Sequence, residues 1–388
     1  TAFAGSPRIM RSFVLAVAFA GLAAVSALHA PTVGTLPARS QQQMRAGSAL
    51  RRVEAPAAMS LRGGSEEVAE SKSIFWNETV ELAILFGLWY WGNTAYNVYN
   101  KKALNLLGGA KGGLVWSVAA AQLMTGVLWV VPLWILGLRT APKMTTENWM
   151  QMAPIGIFAA GAHGGSVVAL GAGAVSFGQI LKACEPAFSA VNEIIFLGEV
   201  QAWQVYMTLI PIIGGVAFAS LKELSFSWLA VISAMLANQS AALKAVFGKS
   251  VMKQPWAKAM GPANQYGVVN IISVLATLPL VLGLEAPKMQ KSWDTALKKG
   301  SMPKDIYQNV LASGFFFYLY NEVSFMALAK VSPITHSVAN TLKRVVIIVV
   351  SCIIFNTPMS TEGMVGSAIA ILGTLLYSLA KQTYKKAQ

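Results

Sequence analysis

Charge is what this sequence has least of. Asp, Glu, Lys and Arg make up only 12% of its 388 residues, while 55% are hydrophobic. A soluble domain carries roughly 25% charge, so a soluble globular fold is excluded and an integral membrane protein is expected. Cysteine is nearly absent as well. Cys184 and Cys352 fall far apart in apolar segments, which excludes a disulfide framework and any paired-cysteine metal spacing. The three histidines, His29, His163 and His336, are too scattered to form a metal site. No cofactor loop of the G-x-x-x-x-G-K-[ST] type occurs, and no cofactor is expected. Arginine almost vanishes beyond residue 62: of nine, only Arg139 and Arg344 lie further on. The net charge of +14 therefore sits in a leader and in loop lysines. No basic stripe interleaved with aromatics exists, so nucleic acid is excluded as a partner.

What is present begins with a leader. Arg8 and Arg11 precede "SFVLAVAFAGLAAVSALHA", an apolar core ending in small residues, which is the layout of a secretory signal. Residues 1–30 are assigned to it, with residues 12–28 as a spanning helix the competing view. Residues 31–72 follow, Ser- and Ala-rich, with five arginines against one acid, Glu54, between 31 and 64. Acid-poor, Arg-rich stretches of this kind are organelle transit segments. A signal followed by a transit segment predicts a plastid reached through the secretory route.

Apolar runs of roughly 20 residues, the length that crosses a bilayer as a helix, then recur ten times. They cover about 76–100, 113–138, 149–172, 175–197, 202–221, 226–249, 264–284, 305–329, 334–355 and 362–381. The loop from Glu285 to Asp305 reads as wet and basic. "FLGEVQAWQVYMTLIPIIGGVAFAS" (196–220) resembles "FNTPMSTEGMVGSAIAILGTLLYS" (355–378), and "AVSFGQILK" (174–182) parallels "KVSPITHSVANTLK" (330–343). Span four thus corresponds to span nine, and span five to span ten. The predicted fold is an all-α integral membrane protein of ten transmembrane helices in two five-helix halves, 75–222 and 223–385. Because five is odd, the second half enters the membrane inverted. Such repeats place a substrate site near the midplane. Basic residues are shared evenly between the two sets of loops, so the positive-inside rule gives no orientation.

The polar residues within the spans carry the functional reading. In "NTLKRVVIIVV" (340–350), Lys343 and Arg344 are tenth and eleventh in a 22-residue span. Either cation would be about 15 Å from the headgroups, too deep to snorkel. A central Lys or Arg costs about 2.5–3.5 kcal/mol even on the lenient insertion scale. Lys182 occupies the equivalent span four, and Lys244 the last third of span six. His163 and Ser166 lie mid-way along span three in "AAGAHGGSVV", and Tyr320 is central to span eight. Glu185, three residues after Lys182 and one helical step along the same face, is the expected counter-charge to Lys182. For a lone His or Tyr a packing role is the plainer reading. Together with buried cations they point to a mobile anion. A phosphate monoester, carrying about −1.5 to −2 charge and three acceptor oxygens, suits a planar Arg fork beside Lys point charges. His163 and Tyr320 would bond the rest of a small metabolite. A membrane enzyme is the rival class, but it would ask for metal carboxylates, a nucleophile–base pair or a nucleotide loop.

"YLYNEVSFMALAKVSPITHSVANTLKRVVIIVVSCIIFNTP" (318–358) resembles the most diagnostic block of the plastidic phosphate translocators, a branch of the drug/metabolite transporter superfamily. "YNVYNKKALN" (96–105), "AVSFGQILKACEPAFSA" (174–190) and "PIIGGVAFAS" (211–220) resemble further family blocks in order. The resemblance covers about residues 75–385. It implies ten helices in inverted halves, and exchange of inorganic phosphate for triose phosphate, 3-phosphoglycerate, phosphoenolpyruvate or sugar phosphates across a plastid envelope membrane. It implies phosphate ligands at Lys182, Lys343 and Arg344, with His163, Ser166 and Tyr320 around the remainder of the substrate. Two departures stand out. Lys244 occupies a position where the family usually has Arg, and Gln179 one where it often has His. "EPAFS" resembles the hexose-phosphate branch, "RVVIIVVS" the phosphoenolpyruvate branch, and His163 the triose- or hexose-phosphate branches. Triose phosphate or 3-phosphoglycerate against phosphate is the expected exchange, with the other two branches and nucleotide-sugar carriers as alternatives.

Overall fold

A computed structural model describes residues 78–331 and 333–385; the leader segments 1–30 and 31–72 lie outside the described residues. Every regular element among those residues is helical. In chain order the principal helices are α1 Glu78–Leu106, α2 Val115–Ile135, α3 Thr146–Ala172, α4 Val175–Leu181, α5 Glu185–Asn192, α6 Trp203–Met207, α7 Leu209–Ser220 and α8 Trp228–Val251. There follow α9 Pro262–Leu280, α10 Met289–Lys298, α11 Pro303–Lys330, α12 Pro333–Ile354 and α13 Thr361–Lys385.

Local chemistry sets many of the ends. Thr145 accepts from the Asn148 amide at the start of α3, Ser227 from Ala230 at α8, and Ser360 from Gly363 at α13. Each side-chain oxygen satisfies an amide that the first helical turn leaves unpaired. The start of α2 is different, because Leu114 provides no cap. Glu285, distant in sequence and 3% exposed, accepts from the Trp116 amide at 2.9 Å and the Ser117 amide at 2.7 Å. A carboxylate there also answers the positive end of the helix dipole.

Seven helices among the described residues are long and apolar enough to cross a membrane, against the ten spans expected. The three that fall short have physical reasons. Asn93, Asn97 and Asn100 dilute α1, whose stretch 82–100 carries no charge, and Asn309, Asn321 and Glu322 dilute α11. The segment expected at 175–197 is broken into α4, a 3₁₀ turn at Lys182–Cys184, α5 and a π turn at Glu193–Leu197. Pro186 sits at the first turn of α5, where a missing N–H costs nothing. Asn238 of α8, wholly buried, donates to the Leu181 carbonyl at 2.9 Å beside the break.

The loop expected to be wet is partly structured. It contains α10, whose Trp293, Ala296 and Leu297 pack into the apolar cluster around Leu104 and Val167.

Packing is inside out relative to a soluble protein. Leu128, Ile210, Ile213, Leu236, Leu275 and Ile353 face outward, while Asn93, Asn97, Asn100, Gln122 and Asn270 are buried. The main neighbours are α1 with α11, α3 with α8, and α7 with α13. Further contacts join α2 to α9 and α11, α3 to α9, and α12 to both α1 and α4. Helices α7 and α13 meet through glycine: a Cβ on Gly215 would lie 2.7 Å from the Gly366 carbonyl oxygen. Small residues at such a crossing let backbones approach where lipid supplies no hydrophobic drive.

Candidate functional site

The helices enclose a cavity of about 560 Å³ whose wall includes His163, Ser166, Lys182, Glu185, Lys244, Tyr320, Lys343 and Arg344. All eight residues singled out in the sequence therefore face one chamber. They arrive from five directions: α3, the broken segment after α4, α8, α11 and α12. The break matters to this arrangement, since the 3₁₀ turn starts at Lys182 and α5 starts at Glu185. Short 3₁₀ stretches within a span often mark functional hinges.

Lys182 Nζ donates to Ser166 Oγ at 3.0 Å, and Ser166 in turn donates to the Ala162 carbonyl at 2.6 Å. Lys343 Nζ lies 4.9 Å from the centre of the Trp89 ring and 5.9 Å from that of Tyr320. Ring faces hold a cation without neutralising it. Arg344 Nη2 stands 3.5 Å from Glu185 Oε2, a long contact, while Arg344 Nη1 is buried with no hydrogen-bond partner. The direct ion pair of Glu185 is with Arg344, while the Lys182 ammonium bonds Ser166 of α3 and shares the chamber with Glu185. Five basic side chains, Lys182, Lys244, Lys249, Lys343 and Arg344, thus share the chamber wall with one carboxylate.

His163 is 6% exposed, its ring centre 4.0 Å from that of Phe317, and its Nε2 is buried with no hydrogen-bond partner. A buried polar atom left so needs an explanation, and its place on the chamber wall supplies one. Tyr96 packs against Phe317 and Tyr320 to complete an aromatic side.

Sequence reasoning missed Asn93 and Asn97, and noted Gln179 only as a departure from the family pattern. Gln179 Nε2 donates to Asn97 Oδ1 at 3.2 Å, and Asn97 Nδ2 to Asn93 Oδ1 at 2.9 Å. All three line the chamber. The signal was available in "NTAYNVYN" (93–100), where asparagines recur at helical spacing in an apolar run. Also missed was an ionic knot at the ends of α8 and α13. Buried Glu193 accepts from Lys249 at 2.8 Å and Lys381 at 2.6 Å. A partly buried pair joins Arg139 to Glu322. Cys184 and Cys352 are buried, free thiols, as expected of small core residues.

Among the described residues no group of His, Cys, Asp or Glu has a metal-holding arrangement. The wall offers fixed cations, neutral amides and hydroxyls, with one carboxylate paired to Arg344. That equipment is chemically suited to an anion.

Comparison with known proteins agrees with this chemistry. A sequence model of the Triose-phosphate Transporter family matches residues 80–378. Glucose-6-phosphate/phosphate translocator 1, chloroplastic, of Arabidopsis thaliana is 37% identical over 82% of this chain and 80% of its own length. The xylulose 5-phosphate/phosphate translocator of the same plant is 34% identical, over 84% and 75%. The triose phosphate/phosphate translocator of Spinacia oleracea is 33% identical, over 88% and 82%. These relatives are translocators and not enzymes. The chain belongs to the Triose-phosphate Transporter family.

Proposed function

We propose that the protein is an antiporter exchanging inorganic phosphate for triose phosphate or 3-phosphoglycerate across a plastid envelope membrane. The observation that carries this reading is the convergence of Lys182, Lys244, Lys343 and Arg344 on one chamber. In it, Arg344 presents a planar fork to the phosphoryl oxygens and the lysines supply point charges. His163 and Tyr320 bond the carbonyl or hydroxyl groups of the carbon skeleton. Glu185 holds Arg344 while the chamber is empty and yields it when phosphate arrives.

Exchange follows from electrostatics. Closing an empty chamber expels water and strengthens repulsion among the cations. A bound phosphate dianion offsets that repulsion and permits closure, then reopening on the other face. The moving parts are two inverted five-helix halves, 75–222 and 223–385. The neighbour pattern supports them: advancing each span by five exchanges the α1–α11 contact with the α3–α8 contact, and maps α7–α13 onto itself. Halves of this kind rock about a fixed central site.

A second reading, exchange of phosphate for a hexose or pentose phosphate, is favoured by the names of the relatives from Arabidopsis. Proteoliposomes loaded with phosphate and offered triose phosphate, 3-phosphoglycerate, phosphoenolpyruvate or glucose 6-phosphate decide the matter. Triose phosphate should drive the fastest release. Release driven by none of these four, but by a nucleotide sugar offered in a fifth arm, would refute the assignment.

A further inference from the structure

The chamber is open toward one membrane face and shut toward the other. Its lining runs out to Lys249 and Met252, at the end of α8, and to Phe325, near the end of α11. Toward the opposite face the lining stops at Leu170, near the end of α3. There Lys101 of α1 donates to the Leu170 and Gly173 carbonyls, both at 2.8 Å. The last carbonyls of a helix have no partner within it, and the negative end of the α3 dipole favours an ammonium. The backbones are close as well: a Cβ on Gly109 would lie 2.6 Å from the Gly171 carbonyl oxygen. Lys101 thus bolts α1 to α3 across the shut end.

The sequence repeats this lysine. "VYNK" (98–101) near the end of α1 is echoed by "VFGK" (246–249) near the end of α8, and α1 and α8 are mates when each span is advanced by five. Lys249 is therefore the inverted counterpart of Lys101, at the opposite face. The mate of α3 is α11. The parallel of 174–182 with 330–343 puts Met326 and Ala329 where the first half has Leu170 and Gly173. The two lysines are in opposite conditions. Helix α1 packs on α3, while α8 and α11 have no comparable packing among the described residues. Lys249 instead bonds Glu193 at 2.8 Å and Glu199 at 2.9 Å, with its side chain 35% exposed at the open end.

We propose that Lys101 and Lys249 are alternating bolts, positioning residues that hold the two faces shut in turn. As the open face shuts, Lys249 leaves its acids for the last carbonyls of α11, and Lys101 releases α3. Glu193 keeps Lys381, so that buried pair persists in both states. Bolts of this kind rest on the inverted halves of the proposed antiporter, and name the residues that secure each face. They also account for which face is open. Lys249 has an acidic resting place in 193–199, but the mate of that segment, "IFNTPMS" (354–360), contains no acid. A released Lys101 gains less than a released Lys249, and the state with the Lys101 face shut is favoured.

Spin labels on the full-length protein in proteoliposomes test this. The native Cys184 and Cys352 are buried, so labels go to introduced cysteines. Lys102→Cys with Ala172→Cys reports the Lys101 face, and Lys253→Cys with Leu328→Cys the Lys249 face. Lys101→Met should deplete the short separations of the first pair, and Lys249→Met those of the second. Each shift should be about tenfold in population, for loss of hydrogen bonds from a charged donor. Each variant should slow phosphate exchange about tenfold while the phosphate KM stays within about threefold. Lys101→Arg should restore both readouts. If Lys101→Met does not fold, Lys101→Gln keeps a donor and should give the same shifts at smaller amplitude. Unchanged distances in the Lys101 variants, even with a lower unfolding temperature, would make Lys101 a helix cap alone and overturn the inference. An unchanged second pair in Lys249→Met would overturn it equally. Failure of wild-type protein to exchange phosphate would bring down the proposed function, whereas the distances, read without turnover, still decide the bolts.

Discussion

Arg344 Nη2 lies 3.5 Å from Glu185 Oε2, and the two residues face the chamber. The contact is too long to be a strong ion pair, which leaves the guanidinium available to a better partner. Arg344→Lys keeps a cation but loses the planar fork, and should raise the KM for phosphate about tenfold. Glu185→Gln removes a competitor for Arg344, and should lower that KM by about threefold. Initial rates of labelled phosphate exchange measure both. A higher KM in Glu185→Gln would mean that the carboxylate helps phosphate bind.

The knot of Glu193 with Lys249 and Lys381 stabilises this state of the protein and takes no part in binding phosphate. Glu193→Gln leaves two ammonium groups facing each other around a buried amide. It should cost about 1–3 kcal/mol, since the carboxylate is buried but the lysines are partly wet. Thermal unfolding in detergent should show the loss, and Glu193→Met with Lys381→Met should recover part of it. A large change in phosphate KM with unaltered unfolding would assign the knot to phosphate binding.

Glu285 caps a helix far from it in sequence. Glu285→Ala should therefore destabilise locally, by about 1.5–3 kcal/mol for bonds to a charged acceptor. Hydrogen exchange should quicken at the Trp116 and Ser117 amides. Unchanged protection at both would show that the cap contributes nothing.

These cases show which parts of the molecule were legible in its sequence. Depth along a span is a matter of counting, so Lys343, Arg344, His163 and Tyr320 were found by position alone. Local caps such as Thr145 and Ser360 follow from residue type at a helix start. Glu285 was not legible as a cap, because nothing near Leu114 points to a residue so distant in sequence. The break at Lys182–Cys184 was hidden too: apolar residues resume on both sides of Lys182 and Glu185, and only Pro186 marks a change of backbone. The direct contact of Glu185 with Arg344 was not legible, because the two lie on segments far apart in sequence. The amides Asn93 and Asn97 carried no charge to draw notice, although buried polar groups in lipid are as costly to leave unpaired.

The central claim is that an anion must occupy the cationic chamber before it can turn, and vesicle loading tests this most directly. Labelled phosphate should enter proteoliposomes that contain phosphate or triose phosphate and stay out of vesicles that contain neither, with Arg344→Gln abolishing entry while the protein still inserts. Rapid uptake into vesicles lacking an internal anion, or full exchange by Arg344→Gln, would contradict the account.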